Sequence, residues 1–92
     1  MKYRIDKTSV FDKDVKRANK RNYDITLLNA IINKLANGEV LEVKYKDHSL
    51  KGDYKGYREC HITPDWLLIY RIYEDVLILT LFRTGSHSDL FE

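Results

Sequence analysis

A chain of 92 residues has room for one small domain with a single core and excludes a second, so any site must sit on that one body. A third of the residues are charged, yet 16 Lys and Arg against 14 Asp and Glu make net charge a weak pointer to a nucleic-acid partner, and the placement of the charges carries the information. The start MKYRIDK lacks the apolar core of a signal peptide and no run approaches the roughly 18 apolar residues of a membrane span, so a soluble, cytoplasmic protein with no membrane partner is expected. Cys60 is alone and cannot form an internal disulfide.

In chain order, Lys2 to Lys7 alternates, with Tyr3 and Ile5 on one side and charged residues on the other, which predicts a strand with one wet face. Ser9 is the expected N-cap of a first helix. Asp12 completes a capping-box-like start, and Phe11, Val15 and Ala18 form the apolar stripe. Lys13, Lys16, Arg17, Lys20 and Arg21 share the opposite arc, which suits a phosphate backbone or an acidic partner as well as plain solvation. Asp24 caps a second helix whose Leu27, Leu28, Ile31, Ile32 and Leu35 make one apolar arc, and Gly38 closes it. That arc reads as core and carries no chemistry.

From Glu39 to Lys55 the pattern turns polar, with turn residues at Gly52, Asp53 and Gly56, so His48 is expected on a loop. Gly56 to Ile62 alternates: Tyr57, Glu59 and His61 face one way, Arg58, Cys60 and Ile62 the other. Thr63-Pro64-Asp65 can reverse the chain, leaving His61 and Asp65 on either side of a tight turn. Trp66 to Tyr73 and Val76 to Arg83 are apolar on both faces and joined at Glu74-Asp75, as in an antiparallel hairpin near a sheet centre. The predicted order is β-α-α-β-β-β. Two helices packed on one face of an antiparallel sheet make an α+β domain over residues 1–92, with the other face free for function.

Three histidines and Asp65 stand among basic residues. Their spacings (48 to 61, 61 to 65, 65 to 87) match no compact zinc pattern, and Cys60 points away from His61, so no metal and no cofactor are expected. There is no G-x-S-x-G elbow for a nucleophilic serine. Acid–base chemistry remains: RNA brings its own 2′-hydroxyl nucleophile, and a ribonuclease then needs a base, an acid and cations for the developing phosphorane charge. A single histidine or aspartate beside a Pro turn is, however, more often a hydrogen-bonded structural residue than a catalyst.

The strings KYKDHSLKGDYKGYRECHITPDWLLIYRI and LFRTGSHSDLF resemble the YafQ branch of the RelE/ParE superfamily of type II toxins, a likeness that covers the whole chain and is strongest in its second half. The resemblance implies a RelE-like fold, an endoribonuclease that cuts messenger RNA in the ribosomal A site, and a cognate antitoxin. By motif position the family's catalytic residues fall on His48, His61, Asp65 and His87, with Arg83, Trp66 and Phe91 as substrate-binding neighbours. Asp65 and His87 are the expected proton-transfer pair, His48 and His61 would neutralise the scissile phosphate, and Arg83 would stabilise its developing charge. Because the ends of a hairpin meet, Asp65 and His87 are expected close together. The five cations of the first helix are expected to contact ribosomal RNA. The alternative is a binding module that inhibits the ribosome or another target by occupancy alone.

Overall fold

The computed structural model describes residues 1–91. Strand β1 (Arg4–Lys7) leads into α1 (Ser9–Lys20) and α2 (Ile25–Ala36). A long connection with short 3₁₀ turns then carries β2 (His48–Ser49), followed by β3 (Arg58–Thr63), β4 (Trp66–Tyr73), β5 (Ile78–Gly85) and α3 (His87–Phe91). The five strands form one sheet in the order β1-β5-β4-β3-β2. Every neighbouring pair is antiparallel except β1 and β5, which run parallel. The expected α+β class stands, with a mixed sheet in place of an all-antiparallel one. The two helices carry the chain from β1 to β2 at the far edge of the sheet, and three antiparallel steps bring it back to β5 beside β1.

Helix α1 is capped by Thr8, not by the expected Ser9. The Thr8 hydroxyl accepts from the Phe11 amide at 3.0 Å and donates to the Phe82 carbonyl at 2.8 Å, so the cap that wins also ties the helix start to β5. Asp24 caps α2 as expected, accepting from the Thr26 amide at 3.0 Å. Gly38 follows the C-cap Asn37 at φ +79, a left-handed conformation that glycine adopts without steric cost.

Leu28, Ile31, Ile32 and Leu35 of α2 are buried, each contributing about 1.5–3 kcal/mol before ordering costs. Leu27 is 44% exposed, however, and leaves the core arc. The helix side of the sheet buries Cys60, Ile62, Trp66, Leu68, Tyr70, Leu79 and Leu81 against α1 and α2. Burial, followed by the charges of Asp47 and Glu59, pushes the Cys60 thiol up to about 12, so it packs as an inert side chain. The opposite face is closed by Leu67, Ile69 and Leu90, with Leu50, Tyr57, Phe82 and Phe91 around them. Strand β4 is thus covered on both sides, as its unbroken apolar pattern predicts.

The hairpin between β4 and β5 is longer than the two-residue join expected: Tyr73 pairs with Ile78, and Glu74 to Leu77 form the connection. Leu77 sits at φ +54 there while its carbonyl accepts from the Arg4 amide, which starts the β1–β5 pairing. Near the other end of β5 the register steps from Tyr70–Leu81 to Ile69–Arg83, leaving Phe82 as an extra residue. Such a bulge re-aims the side chains beyond it. Among the described residues no helix is long and apolar enough to cross a membrane.

Candidate active site

Strand register builds one row across the sheet. His48 pairs with Glu59, Glu59 with Ile69 and Ile69 with Arg83, so these positions share one face of the sheet, although the Arg83 guanidinium turns to Asp14 of α1. Neighbouring strands lie about 4.8 Å apart, which sets Glu59 and Arg83, two strands apart, at backbone positions roughly 10 Å from each other. His61 falls two residues beyond Glu59 on the same face.

His48 lies on the short strand β2 and not on a loop, because its pairing with Glu59 extends the sheet by one edge strand. Its Nδ1 is 2.6 Å from the Lys46 carbonyl and its Nε2 is 3.7 Å from Glu59 Oε1. His61 Nε2 lies 3.6 Å from the same oxygen, and its Nδ1 is 3.3 Å from the Pro64 carbonyl. Each ring therefore faces an oxygen acceptor from both nitrogens. The carboxylate between them, Glu59, is buried. It was placed on the His61 face by alternation, yet its part in the site was missed. The residue before His48 is anchored as well. Asp47 accepts from the Tyr70 hydroxyl and lies 3.4 Å from the Arg58 guanidinium, a latch from the core to β2. Burial and then the bond to Asp47 push the Tyr70 phenol upward, so it remains a donor.

Asp65 is exposed at the β3–β4 turn, where it lines a concavity with Tyr23, Asp24, Leu27, Thr63 and Trp66. A second concavity shares Leu27 and Thr63 with it and takes in Lys44, Tyr45, Lys46 and His61. The pairing of Leu67 with Gly85 does bring the ends of the hairpin alongside each other. Even so, no hydrogen bond or ion pair joins Asp65 to His87 among the described residues. His87 begins α3, exposed, with its ring 5.0 Å from that of Phe91 one turn later. Phe91 in turn meets Tyr54 edge-on at 5.6 Å. Trp66 has no open face: it is 2% exposed, meets Tyr23 at 5.0 Å and donates its indole N–H to Thr84 at 2.9 Å.

Helix α3 was not foreseen. Ser86 and Asp89 form its reciprocal cap, the Ser86 amide donating to Asp89 at 2.9 Å and the Asp89 amide to the Ser86 hydroxyl at 3.1 Å. Arg21 reaches Asp89 at 2.8 Å, while Arg17 stands between Asp89 at 3.8 Å and Asp14 at 3.0 Å. Two of the five cations on the α1 arc are thus engaged in fastening α3. Among the described residues Lys13, Lys16 and Lys20 are exposed and make no ion pair.

Burial alone would raise the Asp89 carboxyl, but Arg21, the Ser86 amide and hydroxyl, and Arg17 together hold it at about 2. A folded value below the unfolded one contributes stability above pH 4 that is lost as the pH falls from about 4 through about 2. Asp89→Asn is expected to flatten the acid limb of the stability curve in that window, measured by urea unfolding at stepped pH. An unchanged limb would show that Asp89 carries no such linkage.

Among the described residues no group of three or more His, Cys, Asp or Glu is arranged to hold a metal ion. His48 and His61 converge on Glu59 at ion-pair distances.

The family model described as the bacterial toxin of type II toxin-antitoxin system, YafQ, matches residues 3–92. An mRNA interferase toxin YafQ of Escherichia coli (strain K12) is 42% identical over 88 residues, covering 95% of this chain and 94% of the relative. The toxin fold in the E. coli DinJ-YafQ complex superposes with a TM-score of 0.90 at 41% identity, over 98% of this chain and 99% of that one. A metal-bound toxin from Helicobacter pylori does so with a TM-score of 0.91 at 46% identity, over 99% and 100%. A family model spanning nearly the whole chain, and a relative 42% identical over 95% of it, make the protein a member of the YafQ family of bacterial type II toxins.

Proposed function

We propose that the protein is a ribosome-dependent endoribonuclease that cleaves messenger RNA in the A site and is neutralised by a cognate antitoxin. The observation that supports this reading is the row of strand positions His48, Glu59 and Arg83 with His61 beside it. In the proposed step a base removes the 2′-hydroxyl proton, the oxygen attacks the adjacent phosphorus, and the 5′-oxygen leaves with a proton from the acid. The products are a 2′,3′-cyclic phosphate and a 5′-hydroxyl. Asp65 and His87 are the proton-transfer groups, acting from separate positions with the phosphate between them. His48 and His61 neutralise that phosphate, and Arg83 stabilises the charge of the phosphorane. Trp66 supports the substrate by holding the turn that carries Asp65, and Phe91 by backing the His87 ring.

The relative's complex with DinJ supports an antitoxin partner for this chain. An acidic, flexible segment that folds on binding suits the basic exterior. Dependence on the ribosome follows from the size of the domain. A body of 92 residues offers few groups to orient a flexible strand, whereas a ribosome holds the A-site codon in a reactive pose. Its place of action is accordingly the cytoplasm.

Induction in growing cells should generate new 5′ ends that lie within codons, in frame, and only in translated messages. Ends that ignore the reading frame, or intact messages under translation arrest, would refute cleavage in the A site, and the latter would favour inhibition by occupancy. Ribosomal RNA is contacted by the basic face of Lys13, Lys16, Arg17, Lys20 and Arg21, with the three lysines as its free cations. Reversing the lysine charges is expected to weaken co-sedimentation with ribosomes and reduce its salt dependence. Wild-type behaviour at every salt concentration would remove that face from the interface.

A further inference from the structure

The structure assigns to Asp14 the positioning of Arg83, an inference that rests on Arg83 acting in the proposed cleavage. Asp14 lies on the inner side of α1 between Phe11 and Ala18, where the helical period calls for an apolar residue, and it is 3% exposed. A buried carboxylate must be paired, and an apolar side chain of similar volume often serves stability as well or better. Packing by itself therefore gives no reason for a charge at this position.

The pairing is made largely by Arg83. Asp14 Oδ2 accepts from Arg83 Nε at 2.7 Å and from the Thr84 amide at 3.1 Å, while Oδ1 accepts from Arg83 Nη2 at 3.2 Å and Arg17 Nη2 at 3.0 Å. Two nitrogens of Arg83 on one carboxylate fix the plane of the guanidinium, a geometry that lysine cannot reproduce. Nη1 has no partner among the described residues. The side chain as a whole is 24% exposed, which leaves the guanidinium within reach of an RNA phosphate.

The bulge at Phe82 explains how α1 reaches this far. By shifting the register ahead of Arg83 it releases the Thr84 amide toward Asp14, so one carboxylate satisfies a backbone donor and aims the adjacent side chain. Arg17 continues the chain of contacts to Asp89 and so to α3, the helix that carries His87 and Phe91. Asp14 thereby sets Arg83 relative to the same framework that holds His87.

The test is a double-mutant cycle on ribosomes programmed with a cleavable message, using wild type, Asp14→Asn, Arg83→Ala and the double variant. Asparagine keeps an acceptor for the Thr84 amide and removes the charge that fixes the fork. Asp14→Asn is expected to slow single-turnover cleavage by about 10–100-fold, the scale of a misplacement of about 1 Å, with ribosome affinity within about twofold. In the Arg83→Ala background it should cause no further slowing, because a residue acting only through Arg83 has nothing left to position. Further slowing there, or wild-type cleavage by Asp14→Asn while Arg83→Ala is impaired, overturns the inference and leaves the role of Arg83 intact. Wild-type cleavage by Arg83→Ala overturns both. Should Asp14→Asn fail to fold, Arg83→Lys supplies the second arm. It keeps the charge without the fork, so it is expected to cleave slowly, and a wild-type rate would equally sink the assignment.

Discussion

Replacing His87 with alanine is expected to lower the rate of A-site cleavage by about 10²–10⁴-fold, the usual contribution of one positioned proton-transfer group, while ribosome binding is retained. The loss should be confined to chemistry because of where the side chain sits. His87 is exposed at the first position of α3 and touches the Phe91 ring, whereas the helix is held to the sheet by the buried Leu90 and capped by Ser86 and Asp89. No core packing is lost with the imidazole. Asp65→Asn should behave alike, being isosteric at an exposed turn position. Single-turnover rates on programmed ribosomes, alongside circular dichroism, separate the outcomes. Cleavage near the wild-type rate by either variant removes that residue from the mechanism, and loss of binding in step with loss of cleavage favours an occupancy inhibitor.

Trp66→Ala is expected to cost about 3–5 kcal/mol of folding stability, the range for deleting a large buried aromatic side chain. Against the roughly 5–15 kcal/mol that holds most domains together, such a loss leaves much of the protein unfolded at working temperature. The size of the effect follows from the position. The indole is 2% exposed, meets Tyr23 edge-on and donates to Thr84, whose hydroxyl in turn donates to the Leu67 carbonyl at 2.7 Å. Removing it opens a cavity and strips a partner from a buried hydroxyl. Urea unfolding measures the change directly. A variant as stable as wild type that binds RNA more weakly by about 1–3 kcal/mol would instead make Trp66 a surface on which bases stack.

Residues near in sequence were readable wherever their period or turn chemistry spoke without competition. Strand β4 was expected over Trp66 to Tyr73 and runs over those residues, because its unbroken apolar run suits only a strand covered on both faces. The buried arc of α2, its Asp24 cap and Gly38 beyond its end were likewise legible from local rules. The alternation that set Glu59 and His61 against Cys60 and Ile62 also held, and with it the face on which two of the histidines stand. The family itself was readable in the strings around His48, His61 and His87, and the family model bears it out.

What local pattern could not supply were the partners brought in from far along the chain. Thr8 outcompetes Ser9 as a cap because its hydroxyl also reaches Phe82, and β1 runs parallel to β5 because the helices carry the chain to the far edge at β2 and three antiparallel steps bring it back. Asp65 and His87 end adjoining strands yet point to different surroundings, since a turn and a helix start aim side chains that strand register alone does not. Five residues of α3 are too few to display a helical period, so that element was silent until Ser86, Asp89 and the α1 arginines closed around it. Asp14 and Arg83, separated by 69 positions, are the plainest case. By itself the sequence determined the family and the layered α+β core, and it named the residues proposed to carry the chemistry. Only the tertiary structure decided which carboxylate holds which cation, because a buried charge takes its partner from whatever the fold packs against it, at any distance along the chain.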